Sequence, residues 1–199
     1  MGLIDKLVAI GNGFRSSRGT TKEYTLDEMA VLAAEKTGGG DDGSLKALIE
    51  RTATEITLPS DLTKIGNHAF YYYDKQNFSS LPSGITTIGN YAFYSCTNLA
   101  LTSLPAGVTS IGSSAFDSCT NLALTSLPAG LTSIGGAAFK KCNEMTELTF
   151  NGKPTSIVGT AFQYCTNLLT INVPWAEGEV ANAPWGATNA TINYNYTGG

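Results

Sequence analysis

The chain has 199 residues, with 12 Lys or Arg, 16 Asp or Glu and 1 His, so 14% of side chains are charged against 42% apolar. That apolar share excludes a largely disordered chain, and the net charge of −4 without a basic cluster argues against a nucleic-acid partner. No apolar run approaches the roughly 18 residues of a membrane span, and one His leaves little for His-based metal sets or nucleophile–base pairs.

The N-terminal region holds most of the charge: 16 charged residues fall in 1–56 and 12 in 57–199, and Asp117 is the sole charge from Gln76 to Phe139. Leu3, Ile4, Leu7 and Val8 have helix-compatible spacing. Thr25 and Glu28 form a capping box that predicts a helix from Leu26 through Met29 to about Lys36, ending at Gly38. Two short helices bury too little to fold alone, so residues 1–37 are expected to be an assembly or docking module, a homo-oligomer contact through Leu3, Ile4, Leu7, Val8, Leu26 and Met29. Residues 38–43 read as a Gly/Asp linker. Ser44 can then N-cap a short helix bearing Leu45, Leu48 and Ile49, placed to cover the open end of a repeat region.

Beyond that helix the chain repeats. Phe70, Phe93, Phe116, Phe139 and Phe162 are 23 residues apart, as are Ile65, Ile88, Ile111, Ile134 and Ile157. Leu58, Leu81, Leu104 and Leu127 lead a third column that continues as Phe150 and Val173, and Cys96, Cys119, Cys142 and Cys165 form a fourth. Each unit is too small to bury its own apolar face, so the units must stack as turns of a solenoid with like residues in ladders. Leu99 to Leu104 reads as a strand, parallel to its copies, and Phe116 with Cys119 share one face of a short helical turn. The scarcity of charge has the same cause, because an outward charge would face its own copy about 5 Å away in the next turn.

The stretch Leu104-Pro105, followed by Ile111-Gly112-Ser113-Ser114-Ala115-Phe116-Asp117-Ser118-Cys119, resembles the BspA-like class of bacterial leucine-rich repeats over residues 44–174. The resemblance implies an α/β solenoid: a right-handed arc with parallel strands, short helical turns, N-terminal helices and a C-terminal cap. It also implies adhesion or recognition. Residues 6–10 and 25–30 are similar to the start of phage and prophage tail-associated proteins, and the closing segment resembles the ends of prophage-encoded repeat proteins.

Residues 175–199 are expected to close the rod, with Ile192, Tyr194 and Tyr196 alternating against Asn193 and Asn195 as a capping strand. The N-terminus lacks the pattern of a secretory signal, an expectation that favours synthesis in the bacterial cytoplasm and a final place on a virion or an extracellular surface.

The cysteine ladder points inward and parallel, so buried reduced thiols are favoured over disulfides or a metal site. His68 occupies a variable column and reads as a solvated side chain. No catalytic constellation is visible, so neither an enzyme nor a cofactor is expected. The candidate contact residues are instead Tyr71, Tyr72, Tyr91, Tyr94 and Tyr164, aromatics in columns that elsewhere hold Ser, Asp, Lys or Gln. They either bind a partner or pack on the N-terminal cap. Phe78, Leu101 and Leu124 form a second candidate: an outward stripe if strict alternation holds, or core if a local twist turns Leu101 inward. The function expected is that of a phage or prophage structural protein, at the tail and receptor-binding, with a BspA-like surface adhesin as the alternative; the partner is a protein or glycan receptor.

Overall fold

A computed structural model of the chain describes residue 58 and residues 62–73 and 79–198. The expected assembly module with Leu3, Ile4, Leu7, Val8, Leu26 and Met29, the linker, the capping helix and Phe78 lie outside the described residues.

The repeats stack as predicted, but into two parallel sheets, and the strand expected from Leu99 to Leu104 is not formed: in that column strands begin only at Ser126. One sheet joins β1 (Lys64–Ile65), β2 (Thr87–Ile88), β3 (Ser110–Ile111), β5 (Ser133–Ile134) and β7 (Ser156–Ile157) in that order. The other joins β4 (Ser126–Leu127), β6 (Glu147–Phe150), β8 (Thr170–Asn172) and β9 (Thr191–Asn193). In the first sheet every pairing is offset by one repeat, Ile65 against Ile88 and Ile111 against Ile134. Between the sheets the ladders form the core. Phe93, Phe116, Phe139 and Phe162 are fully buried and stack at 5.2–5.4 Å with planes within 3–5° of parallel. Exposed threonines seal the first sheet from outside, the Thr132 hydroxyl donating to the Thr109 carbonyl at 2.8 Å and that of Thr109 to the Thr86 carbonyl at 3.1 Å.

The expected helical turns are not formed, and no helix occurs among the described residues. Each Ala-Phe-x-x-Cys stretch is instead a run of consecutive turns in which N–H groups alternate between two destinations. Ala92, Tyr94 and Cys96 donate to carbonyls three residues back within their own turn, whereas Tyr91, Phe93 and Ser95 donate to Ser113, Ala115 and Asp117 of the next. The alternation requires left-handed backbone at Tyr91 (φ 55°) and Ser95 (φ 57°), repeated at Ser114, Ser118, Ala137 and Lys141. A left-handed residue other than glycine costs about 1–2 kcal/mol, which the inter-turn hydrogen bonds offset. The described solenoid is therefore built of strands and turns alone.

Leu101 and Leu124 are core residues, at 0% and 1% exposure, and do not form an outward stripe. The alternation slips. Leu122, Leu124 and Leu127 all point inward, so two residues, exposed Thr125 and half-buried Ser126, pass between the last two. In the next turn the inward set is Met145, Leu148 and Phe150, and the two-residue gap has moved ahead of Leu148. Phase thus changes between turns three and four without loss of burial.

The C-terminal segment forms a sixth, degenerate turn. Val180 and Trp185 sit one repeat beyond Ile157 and Phe162, and both are buried. Trp185 receives the Phe162 N–H on its carbonyl, and its own indole N–H donates to the Ala181 carbonyl at 2.7 Å. β9 pairs with β8 in parallel, Ile171 against Ile192, a step of 21 residues in place of 23. It covers the edge of the second sheet, whereas β7 remains the last strand of the first.

Candidate functional site

The turn runs present their side chains in columns. One column reads His68, Tyr91, Ser114, Ala137, Thr160; the next reads Tyr71, Tyr94, Asp117, Lys140, Gln163; a third reads Tyr72, Ser95, Ser118, Lys141, Tyr164. Tyr71, Tyr72, Tyr91 and Tyr94 are thereby gathered on the face of turns one and two. The Tyr71 and Tyr94 rings stack at 4.8 Å with planes 11° apart, and Tyr72 meets both edge-on at 4.6 and 5.3 Å. Tyr91 lies 5.8 Å from Tyr94. Tyr164 belongs to turn five, three steps or about 15 Å along the rod from turn two, and is separate from the cluster.

His68 joins the aromatic group, contrary to the solvated reading. It is half-buried and stacks on Tyr91 at 5.0 Å with planes 7° apart. Tyr72 remains 49% exposed and Tyr91 37%. Burial lifts the Tyr71 and Tyr94 phenols above their ordinary range, and the neighbouring Tyr72 phenol adds to the effect. The hydroxyls are therefore held in the neutral form, able both to donate and to accept.

Asp117, the sole charge between Gln76 and Phe139, is buried beneath this face. Its carboxylate lies 3.6 Å from the Lys140 ammonium and accepts a hydrogen bond from Ser118 at 2.9 Å. The pair neutralises the middle of the face. Sequence reasoning missed both His68 and this pair as parts of the site. Their signal was positional: Asp117 and Lys140 share the column of Tyr71 and Tyr94, and His68 shares that of Tyr91.

The cysteines are buried and play a structural part. The thiols of Cys96, Cys119, Cys142 and Cys165 each donate to the carbonyl of a Phe one turn back, at 2.8–3.1 Å. Burial pushes Cys119 and Cys142 well above the usual thiol range and Cys165 up to about 11. Neutral thiols are poor nucleophiles and poor metal ligands. Among the described residues no three His, Cys, Asp or Glu side chains converge on a metal position, and no helix is long and apolar enough to cross a membrane.

The chain is 26% identical to a leucine-rich repeat protein from Bacteroides ovatus, over 61% of this chain and 37% of that one, with a TM-score of 0.44. It is likewise 26% identical to the leucine-rich repeat protein of T. pallidum, over 60% of this chain and 66% of that one, with a TM-score of 0.39. It thus spans less than two thirds of the length of either. No curated protein matches the chain. The profile of the BspA type leucine rich repeat region matches residues 46–174 in six copies, the span that carries the stacked turns. On that match, which takes in well over half of the sequence, the chain belongs to the BspA type leucine-rich repeat family.

Proposed function

We propose that this protein is a non-enzymatic recognition module that meets a receptor on a cell or particle surface through the aromatic face of turns one and two. The observation that carries the proposal is the concentration of Tyr71, Tyr72, Tyr91 and Tyr94 with His68 on one neutral face, two of them well exposed. Tyrosine supplies contact area and hydrogen bonding at low conformational cost, which is why it is enriched at recognition surfaces. Family membership supports a BspA-like surface adhesin as the setting. Attachment to a phage or prophage particle is the other setting, favoured by the likeness of residues 6–10 and 25–30 to tail-associated proteins. In either, residues 1–37 would serve as the assembly contact, giving a homo-oligomer.

Sedimentation of the full chain with bacterial and host cell envelopes tests the reading. Retention with one class of envelope, lost in Tyr91→Ser, is the expected outcome. No retention on any envelope, or retention unaffected by the substitution, removes the recognition role. Tail-assembly genes beside the coding sequence would select the particle setting, and an export signal encoded upstream would select the adhesin.

A further inference from the structure

Resting on that recognition reading, we infer that the ledge formed by Tyr91 over turn three is a stacking subsite for a neutral saccharide. One face of the Tyr91 ring is backed by His68, parallel to it at 5.0 Å. Stacking along the rod turns the other face toward turn three, where the same column holds Ser114 and then Ala137. Neither is larger than a hydroxymethyl group, so the aromatic ladder stops at Tyr91 and leaves a step one ring high. Ser113, exposed beside it, and the Tyr94 phenol offer hydrogen-bonding groups at its margin.

Size, charge and shape select the ligand. Two turns span only about 10 Å along the rod, so the cluster is far smaller than the ~800 Å² that each partner contributes to an ordinary protein interface. It matches one or two sugar rings. Asp117 is paired with Lys140, and no other charged side chain lies between Gln76 and Phe139, so nothing on this stretch rewards an acidic or basic ligand. The rings touch one another at 4.6–6.2 Å and leave no furrow between them for the ridges of a proline-rich peptide. A flat pyranose face can lie against a flat, preorganised ring, with its hydroxyls met by neutral phenols and serines.

The test uses the full chain and the envelopes it sediments with. Tyr91→Ser is tolerated by the backbone, since Ser114 occupies the same column at φ 52° against 55° for Tyr91. Periodate oxidation of the envelopes, which cleaves vicinal diols, is expected to abolish retention. Isothermal titration with cellohexaose, maltoheptaose and mannohexaose is expected to show binding to at least one, weakened about tenfold or more by Tyr91→Ser and little changed by Tyr91→Phe. Retention that needs Tyr91 but survives periodate overturns the saccharide inference and leaves the recognition reading standing. So does binding of a polyproline peptide at Tyr91 with no competition from the sugars. Absence of retention on any envelope instead removes the recognition reading itself.

Discussion

Gly112→Ala isolates what sets the spacing of the turns. An added Cβ at Gly112 would lie 2.5 Å from the Asn90 nitrogen, 2.6 Å from Asn90 Oδ1 and 2.6 Å from the Gly89 carbonyl carbon. Two of those three atoms are backbone, so no side-chain rotation relieves the contact and turns two and three must separate. Separation strains the Gly112 N–H bond to the Ile88 carbonyl at 2.8 Å and the bond from the Ser113 N–H to Asn90 Oδ1 at 2.8 Å. Overpacking costs roughly 1–3 kcal/mol and each weakened hydrogen bond about 1 kcal/mol, so the expected loss is about 3–5 kcal/mol. With a urea m-value of about 2 kcal/mol per molar, the unfolding midpoint should fall by about 2 M. Gly130→Ala is the matched comparison, because its Cβ meets nothing within 4 Å. That substitution should leave the midpoint unchanged or raise it slightly. Urea unfolding followed by fluorescence of the buried Trp175 and Trp185 reads both variants. Equal midpoints for the two would refute the claim that backbone approach at the glycine column sets the spacing.

Phe116→Ala removes a fully buried ring stacked on both sides, at 5.3 and 5.4 Å, and should cost about 3–5 kcal/mol in the same assay, with Phe116→Leu costing less. Lys140→Met leaves the Asp117 carboxylate buried without its cation and should destabilise by about 1–3 kcal/mol, and adding Asp117→Asn to it should restore part of the loss. The Cys119, Cys142 and Cys165 thiols titrate higher in the folded protein than the ordinary value of 9.0. Above that value the unfolded thiols ionise while the folded ones keep their protons. Stability should therefore hold below about pH 8.5 and then fall toward pH 11, by up to about 1.4 kcal/mol per pH unit for each thiol. A urea midpoint that stays flat between pH 8 and 10.5 would contradict this. For the same reason dithionitrobenzoate should leave these three thiols unlabelled at pH 8 until urea unfolds the chain, and prompt labelling of the native protein would show that they are accessible.

The repeat and its inward columns were legible in the sequence because identical residues recur at one fixed step and stack on their own copies. The first sheet was hidden: its strands are two residues long, too short for alternation to register, and only the Ile column within them and the adjoining Thr column marked them. The spacing of Phe116 and Cys119 suits a helical turn, yet successive turns satisfy it equally. Apart from His68, the left-handed residues that decide between them are Tyr, Ser, Ala and Lys, types that give no local sign of that conformation. They hold it because the next turn supplies a carbonyl, a long-range cause that no short window contains. Val180 and Trp185 kept the step of the ladder and Pro174 kept that of the proline column, but the sixth turn has Thr188 in the cysteine column and so looked like a cap of another kind. At the candidate site the tyrosines were visible as aromatics in variable columns. Their grouping with His68 came only from aligning those columns side by side.

The shared offset of the ladders gives the rod a property of measure. Strand register, threonine hydroxyls, thiols and stacked rings link each turn to its neighbour in the same way through turns one to five. Excising or duplicating one whole 23-residue unit between turns two and five leaves each of these links an equivalent partner. The tyrosine platform and the tryptophan-filled closing turn can thus be moved apart or together in increments of about 5 Å, with neither rebuilt. Reach and recognition are set by different residues, so copy number can change the distance between the two ends of the rod while the contact chemistry stays fixed.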